Sequence, residues 1–137
     1  MRKNRVNNRL YIVFLLLIVI VNFMYVFLTS PLKVETIPVK FIVGNKLGID
    51  LNSSELNYGI VLKGNSGVRN LIIENKFPFP VIVTIYVSKE ISNYIYTDKQ
   101  TIINENEQMK LPIILRVPGN AEFGNYTGKI KIEFRKK

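Results

Sequence analysis

The chain of 137 residues contains no cysteine and no histidine. Without cysteine there is no disulfide to staple a small domain and no thiolate to act as nucleophile or metal ligand. Without histidine the usual general base near neutral pH is missing, and so is the commonest metal ligand. Tryptophan is absent too, and Ala121 is the only alanine. The scarcity of alanine, beside abundant isoleucine, lysine and asparagine, points to an AT-rich genome. No phosphate-binding glycine loop, Ser/Lys dyad motif or zinc spacing occurs. The reading is of a protein that is not an enzyme, with no cofactor, no metal and no small-molecule substrate.

Charge is plentiful but divided. The net charge is +9, from nineteen basic and ten acidic residues. Arg2, Lys3, Arg5 and Arg9 all precede the first apolar run. The other fifteen cations share the rest of the chain with all ten anions, which leaves +5 there. Those charges are mixed in sign along the chain, as at Lys129, Lys131 and Glu133, so they read as a solvated surface rather than a nucleic-acid groove.

From Leu10 to Leu28 the only strongly polar residue is Asn22. As a helix this run rises roughly 28 Å, close to the ~30 Å hydrocarbon core of a bilayer. Tyr11 and Tyr25 lie towards its ends, where amphipathic rings prefer the interface. The expected organisation is a basic cytoplasmic tail over 1–9, a transmembrane helix over 10–29 and an extracytoplasmic β domain over 30–137. The cations before the run, against Lys33 and Lys40 soon after it, favour a cytoplasmic N-terminus; Arg2, Lys3, Arg5 and Arg9 are the topology determinants. A cleaved signal peptide is the rival. The run is longer than such a peptide's apolar region, and Phe27-Leu28-Thr29-Ser30-Pro31 offers no small-x-small cleavage site. Asn22 is either a helix–helix contact through its amide or a tolerated polar residue, and the second reading is favoured.

Beyond Pro31 the apolar period becomes two. Tyr126, Gly128, Ile130, Ile132 and Phe134 alternate with Thr127, Lys129, Lys131, Glu133 and Arg135, one buried face and one wet face of an antiparallel strand. Leu111 to Val117 alternates likewise, with Pro112 implying an edge or strand-end position. Val81 to Val87 places Val81, Val83, Ile85 and Val87 on one face. Further strands are expected at Val34–Val43, Tyr58–Leu62, Val68–Glu74, Tyr94–Tyr96 and Thr101–Asn104. Turn signals at Val43-Gly44-Asn45, Lys63 to Gly67, Pro78-Phe79-Pro80 and Pro118-Gly119-Asn120 separate them. About seven or eight such strands and no second helical period predict an all-β sandwich.

The stretch Leu56 to Gly64, then Val68 to Asn75, then Pro80-Val81-Ile82-Val83 resembles a widespread immunoglobulin-like pattern: aromatic-Gly-x-Val, Gly, an alternating strand ending in Asn, and Pro-Val-x-Val. It is seen in Hydin-type and related prokaryotic surface domains. Val117-Pro118-x-x-Ala121-x-x-Gly124-x-Tyr126-x-Gly128 is similar to the final hairpin of many archaeal and bacterial extracellular immunoglobulin-like domains. The resemblance covers roughly residues 50 to 134 and implies an immunoglobulin-like sandwich of about seven strands, without the cysteine pair and tryptophan of antibody-type members. In this reading Gly59 and Gly64 suit bends that need an absent Cβ, Asn75 hydrogen-bonds backbone where a strand ends, and Tyr126 buries its ring with the hydroxyl at the domain's end.

The remaining features are minor. Asn52-Ser53-Ser54 and Asn125-Tyr126-Thr127 are N-glycosylation sequons, with Asn52 the better candidate. Glu105 and Glu107 lie in a polar stretch that reads as a hairpin loop, since it lacks the glycine and spaced aspartates of a calcium loop. Phe77-Pro78-Phe79-Pro80 reads as a loop closing one end of the sandwich rather than as exposed rings. The expected partners are the lipid bilayer and an envelope or membrane protein. The leading function is an interaction or structural domain of the cell envelope, a layout similar to the stator-like subunits of the archaeal flagellum. The alternative is an accessory subunit of a transport, secretion or archaellum-like complex, gripping its partners through the anchor helix.

Overall fold

A computed structural model describes residues 3–45 and 56–137, with side chains from residue 9 onward. It divides into two compact units, Met1–Ser30 and Pro31–Lys137.

The first unit is one helix, α1 (Lys3–Thr29). It starts well before the apolar run, because neither proline nor glycine interrupts the basic segment. Its end has a local cause. The ring of Pro31 disfavours helical geometry at Ser30. The Thr29 hydroxyl donates to the Tyr25 carbonyl at 2.8 Å and the Ser30 hydroxyl to the Val26 carbonyl at 2.7 Å, so carbonyls of the last turn are used. Side chains of the stretch Arg9–Thr29 are exposed on every side, and the stretch is long and apolar enough to cross a membrane.

The second unit holds eight strands among the described residues: β1 (Lys33–Val43), β2 (Leu56–Val61), β3 (Ser66–Glu74), β4 (Val81–Val87), β5 (Ile95–Tyr96), β6 (Gln100–Ile103), β7 (Gln108–Arg116) and β8 (Gly124–Lys136). They form a five-stranded sheet, β2-β1-β8-β4-β6, and a three-stranded sheet, β3-β7-β5. Every pairing is antiparallel except β1 with β2. The alternation read from the sequence sorts side chains as expected. Val39, Phe41 and Val43, Val81, Val83 and Ile85, and Ile130, Ile132 and Phe134 turn inward from the large sheet, to meet Leu111, Ile113 and Leu115 from the small one. Each such side chain contributes about 1.5–3 kcal/mol when fully buried.

Three positions need more than alternation. Gly59, at φ +66°, lies where the β1–β2 register slips by one residue, and its N–H donates to the Asn57 side chain at 3.0 Å. This is a bulge of the kind a missing Cβ permits. Pro112 corrects an expectation. It is neither at an edge nor at a strand end but in the middle of β7, which runs between β3 and β5. The missing N–H is tolerated because β5 is only two residues long and its ladder reaches Leu115 and Ile114 but not Pro112. The Pro112 carbonyl is taken instead by the Thr97 hydroxyl at 3.2 Å. After β4 the chain makes a helical turn that drives the fully buried Ile91 over Gly128, a plug that strand periodicity did not announce.

Candidate functional site

The residues singled out from the sequence do not converge. Arg2 and Asn52 lie outside the described residues, and Lys3 and Arg5 are described only as helical backbone. Arg9 is exposed on α1. Asn22 Nδ2 donates to the Ile18 carbonyl one turn back, at 2.9 Å. One of its two N–H donors is therefore engaged within its own helix. Asn125 is exposed, second in β8 and opposite Ile42, so its sequon sits on a paired strand rather than a loop.

The polar groups that are buried serve the fold. Asn75 is fully buried just after β3. Its Nδ2 donates to the carbonyls of Phe79, Ile103 and Asn104 at 2.9, 3.1 and 2.9 Å, and its Oδ1 accepts from the Phe77 N–H at 3.0 Å. One side chain thus closes two loops at the same end of the sandwich. Phe77 and Phe79 stack there at 5.6 Å, half-buried, with the Lys136 ammonium 4.9 Å from the Phe79 ring. Tyr58 is buried and donates to the Ile113 carbonyl in the facing sheet at 2.7 Å. At the other end Tyr126 stacks on Phe41 at 5.0 Å and its hydroxyl donates to the Glu122 carbonyl at 3.0 Å.

The acidic residues are similarly engaged. Glu107 Oε2 accepts from the Asn104 backbone and side-chain N–H groups, both at 2.9 Å, and so holds the β6–β7 turn. Glu133 is 6% exposed although it points outward from β8. Lys131 lies 2.7 Å and Arg135 3.1 Å from its carboxylate. Lys131 foremost, then Arg135, holds its pKa below the ordinary carboxylate value. No three histidine, cysteine, aspartate or glutamate side chains gather closely enough to hold a metal among the described residues. The largest concavity described, of about 590 Å³, is an open groove. It is lined by Pro38, Lys40, Ser88, Glu90, Thr127 and Lys129 among others, so its only carboxylate is Glu90. Hydrogen bonding to Ser88, more than its neighbouring lysines, lowers the Glu90 pKa.

No family model, no curated protein and no solved structure matches the chain.

Sequence reasoning missed Glu133 and Tyr58 as organising polar groups. A signal for Glu133 was present, since a carboxylate at i between cations at i−2 and i+2 shares one face of a strand with both. Tyr58 carried no such signal, because its partner lies 55 residues away.

Proposed function

We propose that the chain is a single-pass, non-enzymatic envelope protein. In this reading α1 stays in the membrane with its N-terminus in the cytoplasm, and the β domain stands outside as an immunoglobulin-like platform for an envelope protein partner. The observation that carries it is the direct fusion of a lone apolar helix to the sandwich, with only Ser30, Pro31 and Leu32 between α1 and β1. Supporting it, Asn75, Tyr58, Glu107 and Glu133 are all occupied in holding backbone or neighbouring cations, and the described groove is open and holds one carboxylate. Sites for small molecules are typically concave and bury most of their ligand.

The strand order favours the immunoglobulin-like assignment, with two departures: β6, which follows β5 in the chain, flanks β4 in the large sheet, and the place of G is taken by the N-terminal strand. In an immunoglobulin sandwich strands B, E and D share one sheet while C, F and G share the other. β3, β7 and β5 take the places of B, E and D. β4 and β8 take those of C and F. The place of G, beside F, is then filled by β1, which precedes the strand in the A position instead of following F. The topology is a Greek key closed by its own N-terminal strand.

The absence of cysteine makes a direct test available. Lys137→Cys should react with a membrane-impermeant maleimide in intact cells, and Asn4→Cys only after lysis. The reverse pattern would overturn the orientation. Photo-cross-linking in intact cells from an exposed position such as Tyr86, on the outer face of the large sheet, should then capture an envelope protein. A chain that stays uncross-linked from every exposed strand would sink the platform reading.

A further inference from the structure

The register of β1 and β8 brings two distant parts of the chain together. Lys33, the first residue of β1, lies opposite Phe134, and the Leu32 N–H donates to the Phe134 carbonyl at 2.7 Å. β8 is antiparallel to β1, so Arg135, Lys136 and Lys137 run on past Lys33 towards the linker from α1. All four cations are exposed. Lys33 pairs with Glu35, and Arg135 with Glu133 at 3.1 Å. Lys136 and Lys137 form no ion pair among the described residues. The Lys136 ammonium instead lies 4.9 Å from the Phe79 ring, and the Lys137 N–H donates to the Pro80 carbonyl at 3.2 Å. Of the other carboxylates at this end, Glu74 is matched by Lys76 at 3.3 Å. Glu105 and Glu107 stand on the β6–β7 turn, and β6 lies two strands across the sheet from β8. At strand spacing that is roughly 10 Å. Cations and anions are therefore segregated along this pole.

Chain length decides what the cations can reach. The apolar stretch of α1 ends at Thr29. The four residues from there to Lys33 extend at most about 14 Å. With α1 in a membrane, the headgroup layer fills roughly the first 5–8 Å of that distance. The field of its charges persists for about 8 Å more at physiological salt. Lys33 thus stays within about one screening length of the headgroups, whatever angle the sandwich adopts. Leu32 and Val34, each 45% exposed, place apolar side chains at the same end. Cations beside exposed apolar groups suit the lipid interface, where phosphates take the ammonium groups and the acyl boundary takes the rest.

We propose that Lys136 and Lys137, with Lys33 beside them, form a headgroup site for the phosphates of anionic lipids in the leaflet that α1 leaves. The site rests on the membrane-anchor reading. Bound headgroups hold the β domain against its own membrane, so that it does not swing freely on the linker of Ser30, Pro31 and Leu32. The outer faces of the sandwich are then presented at a set angle to the membrane.

The chain contains no tryptophan, so Phe79→Trp reports from beneath Lys136. The full-length protein is placed in nanodiscs of neutral phosphatidylcholine, or of that lipid mixed with phosphatidylglycerol. Each disc also carries a lipid with a nitroxide headgroup as quencher. Quenching is expected to be about twofold stronger in the discs with phosphatidylglycerol. High salt should abolish the excess, and so should Lys136→Gln combined with Lys137→Gln. Lys129→Gln should leave it intact. A thermal melt matching the parent verifies that the reporter variant folds. If it melts low, bimane on Lys76→Cys replaces it, and no native cysteine competes for the label. Equal quenching in the two discs overturns the headgroup site. An excess that survives loss of both lysines, or that Lys129→Gln removes as completely, overturns its assignment to this pole. A parent chain that alkaline carbonate strips from native membranes overturns the anchor reading itself, and the site falls with it.

Discussion

The Tyr58 hydroxyl donates to the Ile113 carbonyl at 2.7 Å, joining β2 of one sheet to β7 of the other. Burial pushes the phenol pKa well above its ordinary value, against a smaller opposing pull from Arg69, so the group remains a donor at any physiological pH. Tyr58→Phe keeps the ring and removes the bond. It should cost about 1 kcal/mol. The denaturant midpoint should fall with an unchanged slope. A variant as stable as the parent would show that this bond contributes nothing net.

Asn75 is a larger wager. Its amide satisfies carbonyls from two separate loops; a carboxylate there would keep the Phe77 N–H on one oxygen, but the oxygen replacing Nδ2 would face three carbonyl acceptors. Asn75→Asp should therefore be severely destabilised at neutral pH, by about 3 kcal/mol or more. Its folded pKa is expected to rise, because the charged form is the one penalised. The sign follows: a group with a raised folded pKa is least harmful when protonated and costs more as pH climbs through that value. Melting temperature relative to the parent should improve as pH falls from 7 to 4. A gap that does not change with pH would refute the amide's donor role.

Much of this arrangement was readable in the chain. Strand limits for β1, β4 and β8 followed from alternation, because one face of each is buried and the other wet. The role of Asn75 at a strand end was legible, and so was the need for glycine at positions 59 and 64, both at positive φ. What was not legible depends on distance along the chain. Nothing local in Val34–Val43 says that this strand lies between β2 and β8 rather than at an edge. Pro112 misled because its tolerance is set by where β5 stops. Ile91 was invisible because it plugs the core from a turn, where no period exists to reveal it.

Glu133 gives a prediction with a definite pH window. Its folded pKa is lowered, first by Lys131 and then by Arg135. The ion pairs' stabilisation is therefore fully present above the ordinary carboxylate value of 4.5 and is lost as pH falls through the lower folded value. Glu133→Gln is close in shape and carries no charge. It should melt below the parent at pH 7, and the two curves should converge as pH drops towards 3. Parallel curves across that range would show that the carboxylate's charge does no stabilising there. High salt should narrow the gap at pH 7 only modestly, since the carboxylate is nearly covered.

Gly128 and Ile91 test the packing that closes the sheet. A Cβ at position 128 would lie 2.5 Å from Ile91 Cγ1, 2.7 Å from its Cδ1 and 2.7 Å from Ser88 Oγ. Ile91 is wholly buried and has nowhere to retreat. Gly128→Ala should thus destabilise by overpacking, about 1–3 kcal/mol. Ile91→Ala alone should cost about 2–5 kcal/mol, through lost burial and the cavity left behind. Combined, each change relieves the other: the added methyl enters space that the isoleucine vacated. The double variant should be more stable than the sum of the two losses implies, by roughly 1 kcal/mol or more of coupling. Chemical denaturation of the four proteins closes the cycle. Additive losses would mean that the turn bearing Ile91 is not seated on Gly128, and that the sheet tolerates β8 without it.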